Sequence, residues 1–321
     1  MLPGPPAFPY LAAKQRKMKN RRAIQGEVHH VYQRTIGGAV IFYDIADYLV
    51  FFTIVCTVAE RLGMTVLALC PMPDHLHQVC RIRSKQELSG YVQQYTHLFA
   101  QEWNRSRGRK GPLFRARFGC AAKLGNKSIR NTLAYNNNNP VERKMAVRAE
   151  DYRWNFLQYG LGNHPYSKPL SWESASRKLR KVLKEVQRRH RNGEWVHYGQ
   201  WDRWTRGLRP EEIQQLADYV IETWNVIDFR QAAAYYGNGE AMLRAFHDNT
   251  GSEYEIVEDK DKYSDAVYAD CTRVLLQQNK IRRVREIPLL PVEEKMALAH
   301  LLLQRTAATL KQVRRYLHWR P

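Results

Sequence analysis

Between residues 27 and 140 the spacing of apolar positions changes several times, and each change marks a new element. EVHHVYQRTI (27 to 36) mixes β-branched and aromatic residues with polar ones, Gly37-Gly38 offers a turn, and AVIF follows, so a hairpin is predicted. DIADYLVFFTIVCTVAERLG then predicts a helix despite its β-branched content, with Asp44 as N-cap and Gly63 as its stop. MTVLALCPM (64 to 72) and DHLHQVCRIR (74 to 83) predict two strands. Ser84 and Glu87 make an S-x-x-E capping box that opens a helix running to about Arg107. After a glycine-bounded turn at 108 to 111, PLFRARFGC predicts a strand with Phe114 and Phe118 on one face and Arg115 and Arg117 on the other. A last helix, KSIRNTLAYNNNN, is predicted to stop before Pro140, because the residue before a proline is driven out of the α region. This order, with no glycine-rich phosphate loop, predicts an α+β domain of about 160 residues: one antiparallel sheet with helices packed on it.

At 321 residues, 44% of them hydrophobic, the chain can bury a sizeable core, and its length fits two domains. The longest apolar run, 49 to 59, is interrupted by threonines and closed by Glu60 and Arg61, short of the ~20 residues that span a bilayer, so no membrane partner is expected. The amino terminus places prolines before its charges and lacks the order of a secretory signal; residues 1 to 23 are read as a disordered basic arm of a cytoplasmic, nucleoid-associated protein. Cys56, Cys70, Cys80, Cys120 and Cys271 include no C-x-x-C pair, which points to buried thiols and away from a disulfide framework or a zinc knuckle. The formal net charge is +20, and most of the excess lies before residue 161. A polyanionic partner is therefore expected mainly at the first half, and nucleic acid is the usual one, since each neutralised phosphate releases counterions.

His75 and His77 flank one leucine in a predicted strand, so both imidazoles project from the same face. Two neutral imidazoles so placed could clamp a metal; two ordinary half-buried histidines would read the same way. Tyr135 and Asn139 are four residues apart, which on a helix puts phenol and amide on one face, about 6 Å apart along the axis. The run of four asparagines otherwise resembles a frayed helix end. Arg115 and Arg117 fit either a solvated strand face or a track along a DNA backbone.

The segments MPDHLH, GPLFRARF, AYNNNNPV and AEDYRWNFLQYG, in that order and approximate spacing, resemble the REP-associated tyrosine transposases, the single-tyrosine branch of the HUH endonucleases. The resemblance covers residues 24 to 160 and implies a catalytic domain there. It implies a ferredoxin-like antiparallel sheet, with the histidine pair on a central strand and the tyrosine on a facing helix. It further implies Tyr135 as nucleophile, with His75, His77 and Asn139 as ligands of Mg2+ or Mn2+, because no thiolate is near the motif to favour zinc. The implied reaction is cleavage and joining of single-stranded or hairpin DNA through a 5′-phosphotyrosine link and a free 3′-hydroxyl. Asp74 stands where asparagine is commoner, and Asn136 and Asn137 replace the isoleucine and histidine of the pattern Y-I-H-x-N-P-V. Those departures leave an alternative, a domesticated DNA- or RNA-binding protein that keeps the fold but does not cut.

Residues 161 to 321 read as a mostly helical region in which the resemblance fades. WESASRKLRKVLKEVQRRHRN (172 to 192) is a strongly basic helix, either a solvated face or a backbone contact, and residues 248 to 270 are too acidic to lie on DNA. Residues 291 to 319 predict helix, short turn, helix, which fits a helix-turn-helix outside the catalytic domain with Lys311, Arg314 and Arg315 reading DNA, or a plain αα-hairpin. Monomer and homodimer are equally compatible with the sequence.

Overall fold

A computed structural model describes residues 23–248 and 264–319; the amino-terminal arm, apart from its last residue, and most of the acidic stretch lie outside them. The first six elements are β1 (Val28–Arg34), α1 (Ile45–Leu62), β2 (Thr65–Met72), β3 (His75–Arg81), α2 (Lys85–Arg107) and β4 (Gly119–Lys123). The strands form one sheet in the order β2-β3-β1-β4, with every neighbouring pair antiparallel. This βαββαβ order is the ferredoxin-like α+β arrangement, and it makes β3 and β1 the two central strands. Helices α1 and α2 start and stop where the sequence predicts. Asp44 Oδ1 accepts the Asp47 N–H at 3.0 Å, Gly63 takes a left-handed φ of 61° at the end of α1, and Ser84 Oγ accepts the Glu87 N–H at 3.0 Å.

Two predicted strands are absent, for tertiary reasons. AVIF does not fold back on β1, because β3 and β4 occupy both edges of that strand. Instead the Val40 N–H donates to the Arg315 carbonyl (3.1 Å) and the Ile41 N–H to the Pro73 carbonyl (2.8 Å). In PLFRARFGC only the last residues join β4, and residues 112 to 118 run irregularly with a single bridge from Thr35 to Phe114. Phe114 and Phe118 are nonetheless buried, and the stretch is tied to the end of β1 by the Ile36 N–H to Leu113 carbonyl and Arg115 N–H to Arg34 carbonyl bonds (both 2.9 Å) and by the Gln33 amide, which donates to the Arg115 carbonyl at 2.6 Å.

On one face of the sheet lie α1 and α2; on the other lies α3 (Gly125–Glu142). Beyond residue 160, α4 (Arg177–Arg191), α5 (Tyr198–Thr205) and α6 (Pro210–Trp224) pack on the α1 side, and one core cluster runs without a break from Val31 to Ile227. The basic helix is α4, which buries Leu179, Val182, Leu183 and Val186; Arg189 is buried too, paired with Glu194 and donating to the Trp195 carbonyl, while most of its other arginines and lysines face outward. Then α7 (Phe229–Ala234) and α8 (Gly239–His247) back the α3 side, where Met242 and Phe246 meet Ile129 and Leu133. The last helices are α9 (Val267–Gln277), α10 (Val292–Arg305) and α11 (Leu310–Leu317).

The predicted helix, turn and helix of the tail are present as α10 and α11, and α11 is docked against the loop after β1. Val313, Tyr316 and Leu317 are fully buried, and the Tyr43 hydroxyl donates to the Tyr316 carbonyl at 2.6 Å. His318 donates to the Val40 carbonyl at 2.5 Å and stacks on Trp103; burial pushes its pKa down to about 4, so the ring is a neutral wedge at pH 7. Four of the five cysteines are buried, and none forms a disulfide. Among the described residues no helix is long and apolar enough to cross a membrane.

Candidate active site

Side-chain alternation along β3 sends His75, His77 and Val79 toward α3, and Leu76, Gln78 and Cys80 toward α1 and α2. Opposite them β1 presents His30, Tyr32 and Arg34, in register with Val79, His77 and His75. His75 and His77 lie with ring centroids 5.0 Å apart, as their spacing predicts. His30 is the residue that sequence reading missed. Its Nε2 lies 3.0 Å from His77 Nδ1, the two rings stack at 5.1 Å, and both are 1% exposed. One nitrogen of this pair carries the shared proton, so each imidazole fixes the tautomer and tilt of the other. Tyr32, across from His77, turns its ring over Gly119, where an added Cβ would sit 1.9 Å from the ring; only glycine fits under it.

Helix α3 supplies the facing groups. Tyr135 meets both histidines edge-on, its ring 5.5 Å from His30 and 5.4 Å from His77. Two turns further along the same face, Arg143 borders a hollow that His75 also lines. Asn139 lies midway between them on that face. It is 1% exposed, and its Oδ1 accepts no hydrogen bond among the described residues. The helix does not stop before Pro140, contrary to expectation. It continues to Glu142, because a proline in the last turn removes only its own N–H bond, while the Arg143 N–H to Asn139 carbonyl (3.0 Å) and Met145 N–H to Pro140 carbonyl (2.8 Å) bonds close the end.

The other asparagines serve different ends. Asn137 donates to the Leu133 carbonyl within its own helix, and Asn138 donates to the Phe246 carbonyl at the end of α8. Asn136 is wholly buried on the face of Ile129 and Leu133, and neither end of its amide is hydrogen-bonded among the described residues. An unsatisfied buried amide costs about 1–3 kcal/mol. Asn136→Leu, close to isosteric, is therefore expected to raise unfolding free energy by about 1–3 kcal/mol in urea denaturation. A destabilised variant would show that the amide has a partner in the folded chain.

Asp74, at the turn into β3, sets the electrostatics. Its carboxylate lies 2.6 Å from His75 Nδ1 and 3.6 Å from Arg315. Burial acts to raise the Asp74 pKa, but the His75 hydrogen bond and the charges of His75, Arg315 and Arg143 outweigh it and hold the carboxyl below its usual range. Because an ionised carboxylate only accepts, His75 Nδ1 carries the proton and Nε2 carries the lone pair. Asp265, 3.9 Å from Arg143, goes the other way: burial first, then the Asp74 charge, push it up to about 6.

The donor set suits a hard divalent cation. Among the described residues no three His, Cys, Asp or Glu side chains converge on a metal position, so a ligand set here is completed by a different donor type. The buried Asn139 oxygen, one turn from Tyr135 on the helix face that packs on His77, is such a donor, and no thiolate is among these residues. Of the five predicted DNA-contacting residues, the structure brings two together. Arg115 and Arg315 line the hollow beside His75, Arg117 and Lys311 are exposed away from it, and Arg314 lies over the Trp319 ring at 5.1 Å.

Comparison with known proteins gives a partial match. No curated protein matches the chain. A solved structure described as a REP-associated tyrosine transposase bound to a REP hairpin is similar at 15% identity, over 50% of this chain and 94% of that one, with a TM-score of 0.40. The family model described as "Transposase IS200 like" matches residues 24–139, a stretch that begins just before β1 and ends on Asn139. That stretch, about a third of the chain, is similar to the IS200-like transposases and carries His75, His77, Tyr135 and Asn139.

Proposed function

We propose that the protein is a metal-dependent single-strand DNA endonuclease and strand transferase acting on hairpin DNA, with Tyr135 as its nucleophile. The observation that carries this reading is the edge-on packing of the Tyr135 phenol against His77, on a helix face that also holds Asn139 and opposes His75. His75, His77 and Asn139 would hold a magnesium or manganese ion, which when bound neutralises charge on a phosphate oxygen and makes the phosphorus more electrophilic.

The protein's own groups do the rest. Tyr135 Oη gives up its proton to solvent and attacks the phosphorus, a P–O bond to the phenol forms, the bond to the 3′ oxygen breaks, and that oxygen takes a proton from solvent and leaves as the 3′-hydroxyl. The ester energy is retained in the 5′-phosphotyrosine, so reversal with another 3′-hydroxyl joins strands without ATP. His30 and His77 hold the phenol's bearing from two sides, and Asp74 holds the His75 tautomer. Because Tyr135 is 4% exposed, a strand reaches it only with local movement of the residues above it.

Incubation of the protein with a single-stranded hairpin carrying a 5′ extension, with magnesium or with excess chelator, tests the proposal. Cleavage confined to the magnesium arm is expected. Hairpin binding with no cleavage in either arm would instead identify a protein that keeps the fold and has lost the chemistry.

A further inference from the structure

Beside His75 lies a hollow of about 180 Å³. Four arginines from four separate parts of the chain line it: Arg34 at the end of β1, Arg115 before β4, Arg143 at the end of α3 and Arg315 on α11. Bringing four like charges together is unfavourable unless something negative sits among them. Asp74 and Asp265 compensate only in part. They set two carboxylates against four guanidinium groups, and Asp74 lies 3.6 Å from Arg315, beyond the ~2.7–2.9 Å of a charge-assisted hydrogen bond, because its closer partner is His75. The side chains of Arg34 and Arg115 form no ion pair among the described residues.

The backbone around the hollow is built to hold these side chains. The Arg115 N–H donates to the Arg34 carbonyl at 2.9 Å, which ties two of the arginines together, and the Val40 N–H donates to the Arg315 carbonyl at 3.1 Å. Arg315 passes over Gly38, where a Cβ would come within 2.9 Å of its Nε, and Gly38 has a φ of +67° that glycine alone takes without strain.

We propose that this hollow is a seat for one phosphodiester group of the DNA strand next to the scissile position, and that Arg315 makes the C-terminal helix part of it. The proposal rests on the functional reading above and adds to it the position of a backbone phosphate and a role for a region outside the matched family segment. A phosphodiester offers two non-bridging oxygens to forked guanidinium donors, and it lies one link away from the bond that the neighbouring histidines serve.

The test measures binding of a labelled 5′-extended hairpin in excess chelator, where no cleavage occurs, across a series of KCl concentrations. Wild type is compared with Arg315→Gln, with Arg34→Gln on a different wall of the hollow, and with Lys168→Gln, a surface lysine on the far helical region. Each arginine variant is expected to lose about tenfold in affinity and to lower the log–log salt slope by ~0.7, the value for one single-strand phosphate contact; Lys168→Gln is expected to match wild type. A methylphosphonate placed at each position near the cleavage site should weaken wild type at one position and leave Arg315→Gln no weaker there. Unchanged salt slopes in both arginine variants would overturn the proposal, as would loss confined to Arg315→Gln with Arg34→Gln intact, since that pattern marks a structural arginine. Wild-type protein that fails to bind the hairpin at all would overturn the functional reading itself.

Discussion

His77→Ala and His75→Ala are each expected to lower strand cleavage by roughly 10³-fold or more while leaving hairpin affinity within several-fold. The asymmetry follows from where the groups act. Charge on the phosphate grows as the phenol attacks, so a ligand of the ion that neutralises it contributes to the transition state far more than to the bound ground state. His77→Ala removes more than a ligand, because the ring also holds His30 at 3.0 Å and forms one of the two edges against Tyr135. His75→Ala leaves the Tyr135 contacts in place but takes from Asp74 its 2.6 Å partner, so Asp74 turns more fully toward Arg315. Single-turnover cleavage, paired with binding in chelator, separates these contributions. Loss of binding as large as the loss of cleavage would mean that the histidines hold the strand and do not serve the reaction.

Tyr135→Phe is expected to abolish formation of any covalent protein–DNA product, with folding and hairpin affinity unchanged. The ring makes the contacts to His30 and His77, and phenylalanine keeps it; only the attacking oxygen is lost. Water can in principle replace the phenol at a metal-activated phosphate, so slow hydrolysis by the variant remains consistent with the assignment. Adduct formation at the wild-type rate would not, and would move the nucleophile to another of the 18 tyrosines.

What could be read from the sequence was local or strictly periodic. The caps at Asp44, Gly63 and Ser84 depend on neighbours within four residues, and all three behave as predicted. The faces shared by His75 with His77, and by Tyr135 with Asn139, follow from the two helical and strand periods alone. What could not be read depends on strand order and long-range docking. AVIF has the composition of a strand, yet the edges of β1 are filled by residues some 50 and 90 positions away in the chain. His30 stands in an unremarkable strand sequence, and only the antiparallel register of β1 on β3 brings it diagonally against His77. Arg315 was legible as part of a basic helix face. Its position beside His75 follows from the burial of Val313, Tyr316 and Leu317 against the loop after β1, which no short-range signal encodes. Pro140 misled for a related reason: a rule about the residue before a proline gave way to packing on both sides of the helix end.

The central claim is that Tyr135 becomes joined to DNA. Wild-type protein incubated with magnesium and a 5′-extended hairpin, then denatured, digested with trypsin and nuclease, and analysed by mass spectrometry, tests it most directly. A nucleotide adduct that survives denaturation and maps to Tyr135 within the peptide containing YNNNNP is expected, together with release of a fragment ending in a 3′-hydroxyl. Cleaved DNA with no adduct on any peptide, or an adduct on a different tyrosine, would contradict it.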